Sequence, residues 1–338
     1  MAVASNAFDP KRFSFLIAEQ DDWGTHAVDE SSPNNNLIAL DVDSIGSPSL
    51  GVIQTIEPRS GSRVAQATDF FQDNKEVKEF SVSGTATTEG LDLLLSNLTG
   101  DASVPYAMAS NIAESTLTSA TADQTGQQLL SIVYKSAFGT NADLSFKDCF
   151  CTNLVLSGSA DAEGGRVKFQ ATFKTGSLPA SLGDATTTID TAITSNDYFM
   201  SAWDADDRII CGQANVIVSS FSLNITNDIV FAGLTATGFE SATRAGEPLV
   251  TADFTVVYDS NTAGFFNSFS GQSAGSATGA TLMGADATPS DGSFEFKLDN
   301  SVFTNVAFNE GSVMMLDCSV KAVGAGIGSS TALVTVSC

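Results

Sequence analysis

The sequence is short of histidine and of long apolar runs, and these shortages exclude several classes of protein. His26 is the single histidine in 338 residues, so a Ser-His-Asp triad or a histidine-rich metal site would depend on one side chain beside a probable turn. No apolar run approaches the roughly 18 residues of a membrane-spanning helix, and we expect no membrane insertion. The N-terminal segment MAVASNAFDPKRF has no apolar stretch behind its charges, which argues against a signal peptide.

Lysine and arginine are also scarce. The chain has 15 of them against 39 aspartates and glutamates, which gives a net charge of -24. Because only 16% of the residues are charged, below the roughly 25% of ordinary proteins, the acidity reflects missing basic residues more than added acidic ones. Nucleic-acid affinity depends on lysine and arginine contacts, so we expect DNA to be a passing cargo rather than a ligand. A second interpretation, that the charge maintains solubility, stays open.

The cysteines are few, odd in number and scattered: Cys149, Cys151, Cys211, Cys318 and Cys338. The spacing of Cys149 and Cys151 resembles half of a metal site, but the second half is missing. A catalytic thiol would normally need a histidine partner. We therefore interpret the cysteines as buried, reduced thiols on strands.

Two acidic clusters are the remaining candidates for chemistry, since phosphate-binding loops, dinucleotide fingerprints and zinc-protease motifs do not occur. AWDADDR holds Asp204, Asp206 and Asp207, and DVD holds Asp41 and Asp43. The first resembles the start of a calcium loop but lacks the spaced glycine and the terminal acid. Paired carboxylates would also suit a glycoside hydrolase. A solvated turn is the preferred interpretation of both clusters, and we predict no catalytic, cofactor-binding or metal-binding residues and no cofactor.

Strand patterns dominate the chain, and its 43% hydrophobic content is ample for buried cores. In 166–174, Val167 and Phe169 begin an apolar face, whereas the alternate residues are polar; this alternation is typical of a half-buried strand. The segment 160–166 supplies a turn between two strands, which predicts a hairpin. The predicted strands are 52–57, 131–138, 151–159, 166–174, 215–226, 252–259, 294–299, 304–309 and 313–322.

One helix is well specified, within EFSVSGTATTEGLDLLLSNLTG at 79–100. Thr87 or Thr88 can cap its N-terminus, and Gly100 ends it. A single apolar face follows the i, i+3, i+4, i+7 spacing and consists of Leu91, Leu94, Leu95 and Leu98. A helix this short must dock that face on a sheet.

The strand-helix unit recurs later in the chain, which predicts a tandem duplication. FSVSGTATTEGL aligns without a gap on FTVVYDSNTAGF, and two later pairs of segments follow in the same order. GVIQTIEPRSG upstream of the first copy has the role of SFSLNITNDIV upstream of the second. The aligned pairs are 80–91 with 254–265, 148–156 with 299–308, 167–174 with 314–321, and 51–61 with 220–230.

We therefore predict a mainly β fold of two tandem β-sandwich or barrel modules, each with one short flanking α-helix. The boundary lies in the small-residue segment 177–197, which assigns residues 1–185 to the first module and 186–338 to the second. The segments 102–128 and 270–292 occupy the same place in each repeat and are predicted as long loops. Such loops are either plain flexible surface or contacts with neighbours, and both interpretations stay open.

The order of several short strings along nearly the whole chain resembles the major tail, or tail tube, proteins of long-tailed bacteriophages. No single string is diagnostic, so the resemblance depends on their order. The strings are AEQDDWGT (18–25), IEPRSG (56–61), the strand-helix unit (79–100), KDCFCTNLVLSGS (147–159), GGRVKFQATFKTG (164–176), SSFSLNITND (219–228) and FTVVYD (254–259). Many such proteins carry an additional immunoglobulin-like domain, for which two repeats leave no room here.

The resemblance implies a non-enzymatic virion protein, made in the host cytoplasm and located in the tail. Its subunits would form rings that stack into a hollow tube for viral DNA, in contact with other tail proteins such as the tape measure and the terminator. Two modules per subunit favour a trimeric ring over a hexameric one. Because DNA must slide without sticking, we expect acidic and hydroxyl side chains on the inward face.

Three other functions are weighed against this one. The chain would equally suit the tube of a related injection or gene-transfer particle. A surface β-sandwich binding module is a different class, against which the missing signal peptide counts. A carbohydrate-active enzyme would have to use the acidic clusters, and variants of Asp204 and Asp206 would test it.

Overall fold

A computed structural model describes the β-rich parts of the chain. These parts are residues 13–20, 23–24, 37–46, 53–56, 70–73, 76–100, 106–109, 116–118, 129–136, 144–159, 165–181, 189–190, 209–211, 213, 215–234, 238–245, 247–271, 281–283, 295–298, 300–324 and 332–337. Strands far outnumber helices in them, so the predicted mainly β fold class is confirmed.

In the first half of the chain, helix α1 (Thr88–Thr99) follows the sixth strand. The strands are β1 (Phe13–Gln20), β2 (Leu37–Ala39), β3 (Asp41–Ile45), β4 (Ile53–Ile56), β5 (Phe70–Asp73), β6 (Lys78–Thr85), β7 (Tyr106–Ala109), β8 (Thr116–Thr118), β9 (Leu129–Ser136), β10 (Leu144–Ser159), β11 (Lys168–Thr175), β12 (Ala180–Ser181) and β13 (Ile189–Asp190).

In the second half, helix α2 (Phe265–Gly271) follows the fourth strand. The strands are β14 (Val218–Thr226), β15 (Ile229–Ala232), β16 (Ser241–Arg244), β17 (Leu249–Val257), β18 (Thr281–Met283), β19 (Glu295–Leu298), β20 (Ser301–Glu310), β21 (Met314–Ala322) and β22 (Ala332–Ser337). Most of the predicted strands are present, and β10 is longer than the alternation in 151–159 predicts.

Eight antiparallel strands form the main sheet, in the order β3-β6-β11-β10-β14-β17-β21-β20. The strand β10 is long enough to serve two sheets. Its second half pairs with β14, whereas its first half pairs with β9, which continues through β1 to β2 and β13. The chain therefore has one continuous sheet that runs from its first half into its second.

Each half of the main sheet buries its apolar face against a second layer. In the first half, Phe80 and Phe173 stack with ring centroids 5.6 Å apart, and Phe15 of β1 lies 6.2 Å from Phe173. In the second half, Phe296 of β19 packs 5.6 Å from the ring of Phe221 on β14. Burying each such ring contributes about 1.5–3 kcal/mol. The cores thus lie on one side of the main sheet, which leaves its other side for polar residues.

Helix α1 confirms the predicted leucine face, since Leu91, Leu94, Leu95 and Leu98 are all buried. Gly100 ends the helix in the left-handed region, with φ 75°, and its N–H donates to the carbonyl of Ser96 over 2.8 Å. Thr87 takes the N-cap position, but its side chain forms no capping hydrogen bond. The helix is therefore held by burial of its leucines more than by its cap.

Asp92 lies on α1 as a half-buried carboxylate, and its Oδ1 has no hydrogen-bond partner among the described residues. Burial raises the pKa of this carboxyl, because removal from water disfavours the charged form. Below the unfolded-state pKa of about 3.9, Asp92 is protonated in both states and costs nothing. As the pH rises further, the unfolded state loses its proton first, so the folded state loses stability.

We expect Asp92→Asn to raise the free energy of unfolding at neutral pH by about 0.5–1 kcal/mol. The gain should disappear near pH 3.5, where Asp92 is neutral in the wild type. Urea unfolding at both pH values measures the difference. Glu89→Gln is the matched control, because Glu89 is exposed in the first turn, where the helix dipole favours an acid. A gain from Glu89→Gln equal to that from Asp92→Asn would contradict the argument.

Three predictions about individual segments are wrong. The cluster DVD lies in strand β3 rather than in a solvated turn, because Asp41–Ile45 pairs with β6. The predicted loops 102–128 and 270–292 contain short strands: β7 pairs with β22, β8 with β16, and β18 with β19. The segment 51–61 does not have the role of 220–230, because its strand β4 pairs with β5 in a separate two-stranded sheet, whereas β14 pairs with β17 in the main sheet.

Several predictions lie outside the described residues. They include those for His26, Cys338 and the cluster of Asp204, Asp206 and Asp207. The division of the chain at residue 185 stays a prediction. Neither of the two described helices has the length and apolar character to cross a membrane.

Candidate functional site

The side of the main sheet opposite the cores is covered by small polar side chains, and we call it the polar face. The cross-strand pairings place these side chains beside one another over all eight strands, from β3 to β20. Its hydroxyl and amide members are Ser44, Ser81, Ser83, Thr85, Asn153, Ser157, Ser159, Gln170, Thr172, Ser220, Ser222, Asn224, Thr226, Thr251, Thr255, Asn305, Asn309 and Ser319.

Side chains of the polar face are hydrogen-bonded to one another across neighbouring strands. These bonds hold the side chains flat against the sheet and satisfy much of their hydrogen-bonding capacity. The bonds join Ser81 to Thr172 (3.1 Å), Asn153 to Asn224 (2.8 Å) and Thr226 (2.9 Å), and Thr255 and Asn309 to Asp317 (2.9 Å each). The result is an extended polar surface.

The charged residues of the polar face are more often acidic than basic. Lys168, Lys174 and Lys321 lie on it among Asp41, Glu79, Asp253 and Asp317, and Asp43 and Asp228 lie at its margin. The described part of this face therefore has a small acidic excess, and hydroxyl and amide groups dominate it.

Two of these lysines are held by carboxylates at the margin of the face. Lys168 Nζ lies 2.9 Å from Asp43 Oδ2, and Lys174 Nζ lies 2.6 Å from Asp228 Oδ1. Partial burial opposes ionisation of Asp228, but hydrogen bonds from Lys174 and from the Ile229 N–H outweigh it and lower the pKa of that carboxyl. Each pair contributes little stability, about 0–1 kcal/mol. Each pair neutralises the charge of one lysine at the margin of the polar face.

The first and second halves of the main sheet join where β10 pairs with β14, and we call this pairing the inner junction. It sets the segment Asn153–Ser159 antiparallel to Ser220–Thr226. At the two ends of the main sheet, β3 pairs only with β6 and β20 pairs only with β21, within the described part of the chain. The sheet therefore presents two outer edges, each of which offers backbone N–H and C=O groups for further pairing.

A buried arginine fastens the second half of the chain to helix α1. Arg244 of β16 donates from Nη2 to the carbonyl of Asn97 (2.6 Å), and from Nη1 to the carbonyls of Cys151 (2.9 Å) and Asn227. Asn227 Nδ2 donates to the carbonyl of Leu98 over 2.9 Å. These two side chains satisfy carbonyls that the last turn of a helix leaves unpaired, and a cation there also complements the helix dipole.

Burial lowers the pKa of Arg244 to about 10. The guanidinium therefore stays charged at neutral pH, and it donates to three backbone carbonyls. Burying a charge in this position costs free energy. The hydrogen bonds of Arg244 offset that cost and join three segments from both halves of the chain.

A buried carboxylate also joins distant segments of the chain, at the kink of β10. Asp148, with φ 52°, accepts hydrogen bonds from Gln20 Nε2 (2.6 Å), the Gly24 N–H (2.7 Å) and Ser177 Oγ (2.6 Å). Gln20 Oε1 in turn accepts from the N–H of Asp148 and from Ser131 Oγ. The network joins β1, β9, β10 and the segment after β11.

The described cysteines agree in part with the prediction of buried, reduced thiols on strands. Cys149 and Cys151 lie on β10 and Cys318 on β21, all buried and without a disulfide, whereas the buried Cys211 lies in a turn instead of a strand. Burial raises the pKa of Cys151 and of Cys318 to about 12 and that of Cys149 well above its ordinary value. These thiols are therefore protonated at neutral pH, which does not suit a nucleophile.

Among the residues that the structure describes, no group of three or more histidine, cysteine, aspartate or glutamate side chains could hold a metal ion. Asp41 and Asp43 lie on β3, far along the sequence from Asp204, Asp206 and Asp207, which are outside the described ranges. The geometry therefore offers an extended surface and two sheet edges as the functional features.

The interpretation of the sequence missed Arg244, Asp148 and the polar face. The polar face has a signal that reasoning from sequence could use, since serine, asparagine and threonine alternate with apolar residues in SSFSLNIT. Arg244 and Asp148 have none, because their partners come from distant parts of the chain.

No protein-family model matches the chain, and a search of curated proteins found no match either.

Proposed function

We propose that the protein is a structural virion protein, a tail tube subunit that assembles into stacked rings around a channel for viral DNA. One observation carries the proposal: the main sheet is a strip of eight strands with a polar face on one side, cores on the other and an outer edge at each end. A strip of this kind can close into a barrel by pairing with further copies of itself, and closure removes its outer edges.

The order of strands supports two tandem modules. The first half contributes β3-β6-β11-β10 and the second contributes β14-β17-β21-β20, with α1 after β6 and α2 after β17. In both series of four antiparallel strands, the first and second strands along the chain are followed across the sheet by the fourth and then the third. The inner junction then joins the last strand of one module to the first strand of the next.

Two β-bulges recur at matching places in the two series. Thr152 is the extra residue of β10, and Thr304 is the extra residue of β20. Both threonine hydroxyls donate to a carbonyl of the neighbouring strand, Thr152 to Thr172 over 3.3 Å and Thr304 to Ser319 over 3.2 Å. Bulges are treated as designed features rather than accidents, so this repetition supports a duplication.

The other recurring bulge lies in the first strand of each series. It separates Val42 from Ser44 in β3, and Val218 from Ser220 in β14. A backbone hydrogen bond recurs as well, from Ala86 to Val167 and from Tyr258 to Met314. These matches correct one detail of the sequence alignment.

With the bulges superposed, the register places Ala252 rather than Phe254 in the position of Phe80. Phe80 lies opposite Phe173, and Ala252 lies opposite Val320, the counterpart of Phe173. The alignment of 80–91 on 254–265 is therefore two residues out of step along this strand.

The polar face supports a lumen that does not retain DNA. Its hydroxyl and amide groups offer no cluster of cations to phosphates. Lys168 and Lys174, which would attract phosphates, are paired with Asp43 and Asp228. The expectation of acidic and hydroxyl side chains on the inward face stays a prediction, and the hydroxyl groups and small acidic excess of the polar face support it.

Three subunits of two modules each would give a ring of six modules and a barrel of 24 strands. We favour this trimer over a hexamer. The rings would stack into the tail tube and meet the tape measure and terminator proteins at its ends.

We expect negative-stain microscopy of concentrated, purified protein to show rings or hollow tubes. Each copy carries a net charge of -24, so copies repel one another at low ionic strength. Raising the salt from about 0.05 M to about 0.5 M should therefore lower the concentration at which rings appear. Particles that stay monomeric at every concentration and ionic strength would refute the proposal. Mass measurement of isolated rings distinguishes three chains from six.

A further inference from the structure

Exposed apolar side chains gather at one end of the main sheet. The described residues include nine large apolar side chains that are exposed, and four of them, Phe269, Phe308, Val313 and Met314, belong to α2 and the hairpin of β20 and β21. Phe308 lies 4.8 Å from the ring of Phe266 on α2. We call these four side chains the edge patch. A patch of this kind on an edge strand marks a surface for association.

The inner junction shows what covers the same position elsewhere in this chain. When Thr152 is superposed on Thr304, Phe308 of β20 takes the place of Leu156 of β10. Leu156 is 0% exposed and lies opposite Leu223 of β14, whereas Phe308 is 48% exposed. Phe308 therefore lacks the neighbouring strand that its counterpart has.

At the opposite end of the main sheet, strand β3 also leaves apolar side chains partly uncovered. When the bulges of β3 and β14 are superposed, Val42 and Ile45 take the places of Val218 and Phe221. Val218 and Phe221 are buried, 5% and 3% exposed, whereas Val42 and Ile45 are only partly buried. Each outer edge thus leaves a core-facing apolar side chain partly uncovered, Phe308 on β20 and Ile45 on β3, where the inner junction covers the counterparts Leu156 and Phe221.

We infer that the edge patch binds the β3 edge of a second copy of this chain in the register of the inner junction, so that β20 of one copy pairs antiparallel with β3 of the next. Gly158 lies opposite Phe221 in the inner junction; their counterparts are Glu310 and Ile45. Glu310 of one copy therefore lies opposite Ile45 of its neighbour. This inference rests on the proposed self-assembly and adds the surface and register through which it occurs.

A cysteine pair tests the register. We expect the double variant Ile45→Cys with Glu310→Cys to form disulfide-linked oligomers under mild oxidation, because directly opposite residues lie about 4.5–5.5 Å apart. The control pair is Ile45→Cys with Asn305→Cys. Asn305 is five residues from Glu310 along β20, a displacement of roughly 17 Å. The two single variants control for the native cysteines, and non-reducing gel electrophoresis is the readout.

The outcomes separate the inference from the proposed function. Crosslinking of the first pair alone supports the inference, and a ladder that ends at three chains also supports the trimer. Equal crosslinking of both pairs, or none in either while wild-type rings are visible, overturns the register and leaves the assembly proposal intact. Absence of both crosslinks and wild-type rings overturns both.

A second pair of variants keeps the test decisive if cysteine at position 45 disturbs the fold. Phe308→Ser removes the centre of the edge patch, and Val230→Ser removes a similarly exposed side chain, 51% against 48%, from β15. We expect Phe308→Ser to raise the concentration needed for assembly more than about tenfold, with Val230→Ser near the wild-type value. Circular dichroism confirms that each variant is folded. Equal assembly by the two folded variants would overturn the inference.

Discussion

The variant Arg244→Met is expected to lose about 3 kcal/mol or more of the free energy of unfolding. Methionine has a similar length but donates no hydrogen bond, so the carbonyls of Asn97, Cys151 and Asn227 lose their donor in the interior. Each buried polar group left without a partner costs about 1–3 kcal/mol. Removal of the buried charge offsets part of this loss, which keeps the expected total below the sum of three such costs.

Urea unfolding followed by far-ultraviolet circular dichroism measures the effect. Arg166→Met is the matched control, because Arg166 is exposed and surface substitutions usually change stability by less than about 0.5 kcal/mol. Arg244→Lys should fall between the two, since an ammonium group keeps the charge but cannot reach three carbonyls in the planar geometry of a guanidinium. Similar unfolding midpoints for Arg244→Met and Arg166→Met would contradict the role given to Arg244.

The variant Asp148→Ala is expected to cost about 3–4 kcal/mol. It leaves Gln20, Gly24 and Ser177 without their acceptor in a buried network. It also forces alanine into the left-handed region, where φ is 52° and aspartate or asparagine is better tolerated. The kink of β10 depends on this residue, so the substitution should destabilise the pairing of β10 with both β9 and β14.

Asp148→Asn separates the two causes. Asparagine tolerates the backbone conformation and keeps one acceptor oxygen, and the Ser177 hydroxyl can rotate to accept a hydrogen bond from the new amide. We therefore expect a loss of only about 1–2 kcal/mol. Asp253→Ala, at an exposed position of β17, is the control. Thermal unfolding of the three variants measures the order, and an Asp148→Ala variant as stable as the control would refute the argument.

Local patterns predicted most of the secondary structure. The alternation in β11 and the leucine spacing in α1 are set by neighbouring residues, because side chains alternate along a strand and recur every three or four residues along a helix. The short strands escaped prediction for the opposite reason. β7 and β8 have three or four residues each and exist because β22 and β16 pair with them, more than 100 residues away along the chain.

The candidate site was less predictable than the fold. Arg244 reaches Cys151 and Asn97 across 93 and 147 residues, so neither contact has a local pattern. DVD was predicted as a turn because its charges are typical of one, yet β6 accepts it as an edge strand whose carboxylate Asp43 holds Lys168.

The sequence by itself determined the mainly β fold, the helix at 88–99, most of the longer strands and the scarcity of cations, since each of these follows from composition or from the spacing of neighbouring residues. Only the tertiary structure decided which strands stand side by side. Hydrogen bonds between strands are alike whatever their origin, so the choice of β14 as the neighbour of β10 depends on packing over the whole sheet. That choice joins the two halves into one strip, creates the polar face, and leaves β3 and β20 as its outer edges.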